Sequence, residues 1–384
     1  MMKNILLIFG KFLLVNFLIY NIWQPSVFGQ IVNECENWQT EHPEWIFCDD
    51  FESGEPMVKE GRYFEYGNND GDFVPVVGLG LDSSIGMRTI FQEGEVGAGG
   101  MKLSFGRNPQ GYMNKGIRAT EDFREVYYRM YMKLDPDWEG NPAKLSRATV
   151  FTSSSDWRQA MIAHLWSDGK LHLLIDPASG VSDGEVVTSG YNDFDNLSWL
   201  GNKSGTTPLF DGNHDEWMCI EHHVKLNDPG EKNGVQEFWI DGNLEARRTG
   251  LDFVGTYTAY AINAVFFENY WNTGSVKTQE RYWDNIVVST EPIGCLDLST
   301  ASDLKKLPKP VSVYPNPTTG KIMFNRGSHS IQHIKISDIT GKTLFEEDDI
   351  SQRRMIDISN FNKGIYLLRI LTDKDPLTIK IIKQ

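Results

Sequence analysis

Between Glu34 and Cys295, apolar and polar positions alternate in short runs, and no long stretch keeps the 3.6-residue period of a helix. A period of two sends successive side chains to opposite faces of a sheet, so each run reads as a half-buried strand. The strands predicted in this way are Val126–Leu134, Ala160–Trp166, Lys170–Asp176, Trp217–Leu226, Val235–Ile240, Ala261–Tyr270 and Tyr282–Ser289. Asp241-Gly242-Asn243 supplies a hairpin turn, because glycine tolerates positive φ. Many strands with Gly, Asn and Asp turns predict an all-β fold, a sandwich or jelly roll.

The two ends read differently. Lys3 and Lys11 flank the apolar runs Ile5–Phe9 and Phe12–Tyr20, and Val27-Phe28-Gly29 precedes Gln30. Residues 1–29 are therefore expected to be a signal peptide, removed in the mature chain. Gly10-Lys11 and Asn16 interrupt the apolar stretch, which argues against a membrane anchor. No other segment is apolar enough to span a bilayer, so no transmembrane segment is expected in the mature chain. A Ser-, Thr-, Lys- and Pro-containing linker at 299–310 leads to a small β module at 311–384. The module carries Tyr314-Pro315-Asn316-Pro317, then Asp338-Ile339-Thr340-Gly341-Lys342, then Gly364-Ile365-Tyr366-Leu367-Leu368 and a basic end at Lys380 and Lys383. This set resembles the C-terminal sorting domain of the type IX secretion system of Bacteroidetes, a small Ig-like β-sandwich. The resemblance implies an encounter with the type IX machinery, export across the outer membrane, and an extracellular or cell-surface location. It implies nothing about chemistry.

About 280 residues lie between the signal peptide and the module, enough for one large β domain with a full core at 30–298. Without Lys3 and Lys11 the chain keeps 35 Lys and Arg against 52 Asp and Glu, a balance of −17. Such a surface repels nucleic acid and anionic membranes, though a local basic groove can still take an acidic polysaccharide. The 11 Trp and 14 Tyr supply rings that stack on sugars but also fill sandwich cores. Cys35, Cys48, Cys219 and Cys295 form an even set, which in an exported chain predicts disulfides. Of three possible pairings, the expected one is Cys35–Cys48, closing an N-terminal loop, with Cys219–Cys295 tying a central strand to the end of the domain. No CxxC spacing or Cys/His cluster points to zinc.

Cys48-Asp49-Asp50-Phe51-Glu52, Val126–Leu134, Glu237-Phe238-Trp239-Ile240-Asp241-Gly242 and Tyr282-Trp283-Asp284-Asn285-Ile286 occur in that order. Together they resemble the concanavalin A-like jelly roll, and most of all its polysaccharide lyase-type members. The resemblance implies a curved sheet with a glycan across it, and an enzyme cleaving an acidic, uronate glycan by β-elimination. Lectins and other binding modules share the fold, so a non-catalytic carbohydrate-binding or adhesive surface protein is the alternative. A β-glucanase ranks below both. Its relatives in this fold place their acids as Glu-x-Asp-x-x-Glu on one strand, whereas Cys219–Lys225 reads CIEHHVK. Glu221 and Glu268 remain as a cross-strand carboxylate pair for hydrolysis. The fold often clamps its termini through calcium, and Asp50, Glu52 and Asp284 hold the corresponding positions, alongside Asp49. Ordinary turn acids explain the same residues.

Alternation assigns faces to the candidate chemistry. Tyr127, Arg129, Tyr131 and Lys133 share one face of their strand, and Glu221, His223 and Lys225 share one face of theirs. His164 lies between Ile162 and Trp166, while Glu268 and Tyr270 share a face. The expectation is that these faces converge on one groove. β-Elimination needs a neutralised carboxylate, a base for the C5 proton and an acid for the leaving oxygen. Arg129 or Lys225 would neutralise, His164 or His223 would act as base, and Tyr131 or Tyr270 as acid. Glu221, Glu268, Lys133 and Lys225 would contact substrate. Cross-strand pairs on a solvated sheet account for the same residues without catalysis. His222 and His223 cannot share a face, so one is a packed histidine.

Overall fold

A computed structural model describes residues 33–296 except 110, 112, 114 and 212–215, and residues 312–384 except 315, 319, 326–330, 349–354 and 373–375. The expected signal peptide and the 299–310 linker lie outside the described residues. Strands dominate, and two large antiparallel sheets form the central domain. The first runs, in spatial order, Asn243–Leu251, Gly234–Ile240, Met218–Lys225, Glu125–Leu134, Gln279–Ser289, Ile85–Phe91 and Phe73–Val77. Trp45–Asp49 also pairs with Gln279–Ser289. The second runs Ser198–Trp199, Leu173–Ser179, Gln159–Ser167, Lys144–Phe151, Ala264–Tyr270, Gly97–Ser104 and Glu65–Gly67, with Lys203–Ser204 on Leu173–Ser179. The result is a concanavalin A-like jelly roll.

The core lies between the sheets because each strand turns every second side chain inward. Met130, Met132, Ile220, Val224, Phe238 and Trp283 from the first sheet join Leu103, Leu145, Ala148, Val150, Leu165 and Phe267 from the second in one cluster. His222 is the packed histidine. It is fully buried, and its Nδ1 meets the Tyr128 hydroxyl while Gln236 Nε2 lies 2.9 Å from its Nε2. Burial pushes its pKa down to about 3, so the ring is neutral. The hairpin at Asp241-Gly242 forms as its sequence requires, with φ of 49° and 76°.

Seven strands were expected in the domain. Lys170–Asp176 is shifted to Leu173–Ser179, and Trp45–Asp49, Phe73–Val77, Ile85–Phe91, Gly97–Ser104, Asn243–Leu251, several shorter strands and Lys144–Phe151 lie outside the expected set. All but the first residue of Lys144–Phe151 is buried, Arg147 and Thr149 included. A bulge opposite Leu165 and Trp166 also breaks its period. Both disulfides form as expected, Cys35–Cys48 and Cys219–Cys295.

The C-terminal module is a second, small sandwich. A three-stranded sheet (Ser312–Tyr314, Lys321–Asn325, Met355–Asp357) accompanies a four-stranded one (Thr343–Asp348, Ile331–Asp338, Gly364–Thr372, Pro376–Lys383). Ile322, Ile334, Ile336, Ile356, Leu368, Ile370 and Ile381 make its core.

Candidate functional site

The expected convergence fails, for a topological reason. The strands of Arg129, Tyr131, Lys133, Glu221, His223 and Lys225 belong to the first sheet, and those of His164, Glu268 and Tyr270 to the second. Their polar positions face outward on opposite sides of the sandwich, with the core between them, so no single groove contains them.

On the first sheet these groups hold the ends of the domain. Glu221 accepts the backbone N–H groups of Ile293 (2.8 Å) and Gly294 (2.9 Å). Arg129, 1% exposed, pairs with Glu34 and donates to the carbonyls of Gly294 (3.2 Å) and Asn285 (3.3 Å). The Tyr131 hydroxyl accepts the N–H of Leu296 at 2.6 Å, beside the Cys219–Cys295 bond. His223 sits between two carboxylates, Glu237 at 2.8 Å and Glu125 at 2.9 Å, with its ring stacked on Tyr127. Lys225 pairs with Glu125 at 3.4 Å, and Lys133 lies over the rings of Trp217 and Tyr282.

The expected calcium ligands serve the same end. Asp284 accepts the N–H groups of Leu81 (2.5 Å) and Asn285 (2.8 Å), Asp50 those of Cys35 and Glu52, and Glu52 that of Ile85. Burial pushes the Asp284 carboxyl up to about 8, against the opposing pull of its backbone donors. Among the described residues no three His, Cys, Asp or Glu gather as a metal set. Asp50, Glu52 and Asp284 each accept backbone N–H groups here. Asp49 is paired with Arg62 at 2.8 Å.

The outer face of the second sheet is a different kind of surface. Register lines up Asp176, His164, Arg147, Phe266, Lys102 and Glu65 directly across six strands. At the centre Arg147, fully buried, donates to Glu268 (2.7 Å), to Asn192 (2.5 Å) and to the Tyr191 hydroxyl. Lys102 pairs with Glu65. One step along, Trp166, Lys144 and Tyr270 form a parallel row, with Lys144 Nζ 4.4 Å from the Tyr270 ring centre. Asn269 turns inward, where its amide oxygen lies 3.2 Å from Trp283 Nε1.

His164 is set up as a neutral acceptor. Its Nδ1 lies 3.1 Å from the Asp176 carbonyl, which can only accept, so Nδ1 carries the proton and Nε2 the lone pair. Burial, and then the nearby Arg147 charge, hold its pKa well below the usual histidine range. Trp166 and Trp199 roof the ring, with centroids at 3.8 and 5.8 Å. Asp176 is pushed up to about 6 by burial.

The segment from Thr188 to Trp199 forms one wall of this face. Phe194 and Leu197 pack on Ile162 and Ala178, while Tyr191 and Asn192 reach Arg147. The segment, whose Gly, Ser, Asn and Asp content reads as loop, is thus packed on the sheet over this stretch. Four buried polar atoms on the face have no hydrogen-bond partner among the described residues: Arg147 Nε, Trp166 Nε1, His164 Nε2 and Glu268 Oε2. Two are donors and two acceptors, beside the partly exposed rings of Tyr191, Trp199 and Tyr270. Sequence reasoning missed Arg147, Lys144, Tyr191 and Trp199. The first two lie on the unrecognised strand Lys144–Phe151, and the last two on a segment whose composition reads as loop.

No curated protein matches the chain. Among solved structures it is similar in fold to an alginate lyase from Chlorella virus (9% identity, TM-score 0.44, covering 61% of this chain and 96% of that one). It is also similar to an endo-β-1,4-glucuronan lyase from the fungus Trichoderma reesei (13%, 0.43, 64% and 96%). A third likeness is to a marine alginate lyase from Aplysia kurodai (12%, 0.44, 64% and 99%). Residues 312–384 match the family described as secretion system C-terminal sorting domain. A sorting domain over residues 312–384 indicates secretion to the outer surface or the extracellular space.

Proposed function

We propose that the chain is an exported polysaccharide lyase that takes a uronate glycan across the outer face of the second sheet. The observation that carries this reading is the row through His164 and Arg147, with its four unpartnered polar atoms and bordering aromatic rings. Buried polar groups are normally paired, and a polyhydroxylated ring both donates and accepts. Such a ligand would stack on Tyr191, Trp199 or Tyr270, and would reach these four shielded atoms on displacing the side chains that cover them. For the chemistry, the neutral imidazole of His164 offers its Nε2 lone pair to the C5 proton. Tyr270 or Tyr191 would return a proton to the leaving oxygen, and a cation of this face would hold the carboxylate whose charge spreads into the enolate-like transition state.

The test is the ultraviolet absorbance of the unsaturated uronate that elimination creates, followed on a panel of polyuronates. A rise that His164→Ala and Arg147→Ala abolish is the expected result. One observation favours a second reading, a non-catalytic glycan-binding protein: Trp166 and Trp199 cover His164. A flat trace on every polymer, with retention on a glycan affinity gel, would establish that reading instead.

A further inference from the structure

Three cations face the candidate groove, and two of them already have anions. Arg147 is held by Glu268 and Lys102 by Glu65. Lys144 has no ion pair or hydrogen bond among the described residues. It is half-buried and rests on the Tyr270 ring. Its place depends on the bulge. Lys144 to Ser146 lie opposite only Leu165 and Trp166, and Leu145 and Ser146 both turn inward, the first into the core and the second to the Tyr128 hydroxyl. Lys144 and Arg147, three residues apart, therefore emerge on the same face, which a regular strand forbids.

An ammonium partly stripped of water, with no direct ion pair, braced on an aromatic ring and sharing the more distant Glu268 with Arg147, is a receptor for an anion. Trp166, directly across the strand pair, adds an indole N–H with no partner. Building on the glycan reading, we propose that Lys144 is the residue that takes the uronate carboxylate, and that Arg147 is a positioning residue fixed by Glu268, Asn192 and Tyr191. The charge inventory narrows the ligand further. Lys102, Lys144 and Arg147 are balanced by Glu65, Asp176 and Glu268. The face suits one carboxylate per sugar and repels a densely sulfated chain, whose extra charges would meet those carboxylates.

The experiment measures affinity electrophoresis of the purified chain on polymannuronate and polygalacturonate, each against its carboxyl-reduced form. The wild type is expected to bind at least one polyuronate about tenfold tighter than the reduced polymer. Lys144→Gln should erase that ratio and leave affinity for the reduced polymer unchanged, while Lys144→Arg keeps the ratio. Thermal melts of both variants show that they are folded. If folded Lys144→Gln keeps the ratio, or Lys144→Arg loses it, the role of Lys144 is overturned and the glycan reading survives. If the wild type binds none of the four polymers, the glycan reading falls and the assignment of Lys144 falls with it.

Discussion

The two outer faces of the sandwich are built from the same kinds of residue and end in different states. On the first sheet Arg129, Glu221, Tyr131 and His223 all find partners within the chain, several of them in the terminal segments around Glu34 and Gly294. On the second sheet Arg147, Glu268, His164 and Trp166 each keep a buried polar atom without a partner, whereas of the four first-sheet residues only Arg129 does, at its Nε. Residue type therefore does not separate a structural clasp from a binding surface. The degree of satisfaction does: a face whose acceptors and donors are nearly all matched internally has little left to offer a ligand.

That contrast can be broken by substitution on the first sheet. Arg129→Ala would leave the Glu34 carboxylate buried without its cation. We expect a loss of about 3–5 kcal/mol in urea unfolding, with glycan retention unchanged per folded molecule. A parallel loss of specific binding would show that the faces are coupled and the distinction false. Replacing Cys219 and Cys295 together by serine opens a cross-link between residues 76 apart in sequence. The expected cost is about 2–4 kcal/mol, again without change in polyuronate preference.

A gentler probe uses pH. Asp284 is held by burial at about 8, above its unfolded value, so the folded chain binds the extra proton. Its contribution to stability is complete at low pH and is lost as pH rises through 8. Between pH 7 and 8 the loss should be at most about 1.4 kcal/mol per unit, and Asp284→Asn should flatten it. A slope that survives Asp284→Asn would locate the titrating group elsewhere.

The fold class was legible because alternation is a local signal, and Val126–Leu134 displays it along most of its length, although strands such as Ile85–Phe91 and Gly97–Ser104 escaped the reading. The site was not. His164, Glu268 and Tyr270 could be assigned to their outward faces, but not to the sheet those faces belong to, since strand order is non-local. Arg129 and Arg147 look alike in sequence, and only topology shows that one meets the terminal segments around Glu34 and Gly294 and the other the wall that carries Tyr191 and Asn192. Lys144 lay further out of reach. A bulge is set by the pairing with Gln159–Ser167, and it moves a side chain across the sheet without marking the sequence.

The Cys219–Cys295 bond has a mechanical consequence. Tension applied to the chain beyond Leu296 reaches Cys295 and crosses covalently into the strand Met218–Lys225, which is hydrogen-bonded on both sides by Glu125–Leu134 and Gly234–Ile240. The load enters in the body of a sheet and spreads as shear over two strand pairs, where a tether on an edge strand would unzip one bond at a time. A domain stapled in this way can be pulled by its tail while the opposite face keeps its shape.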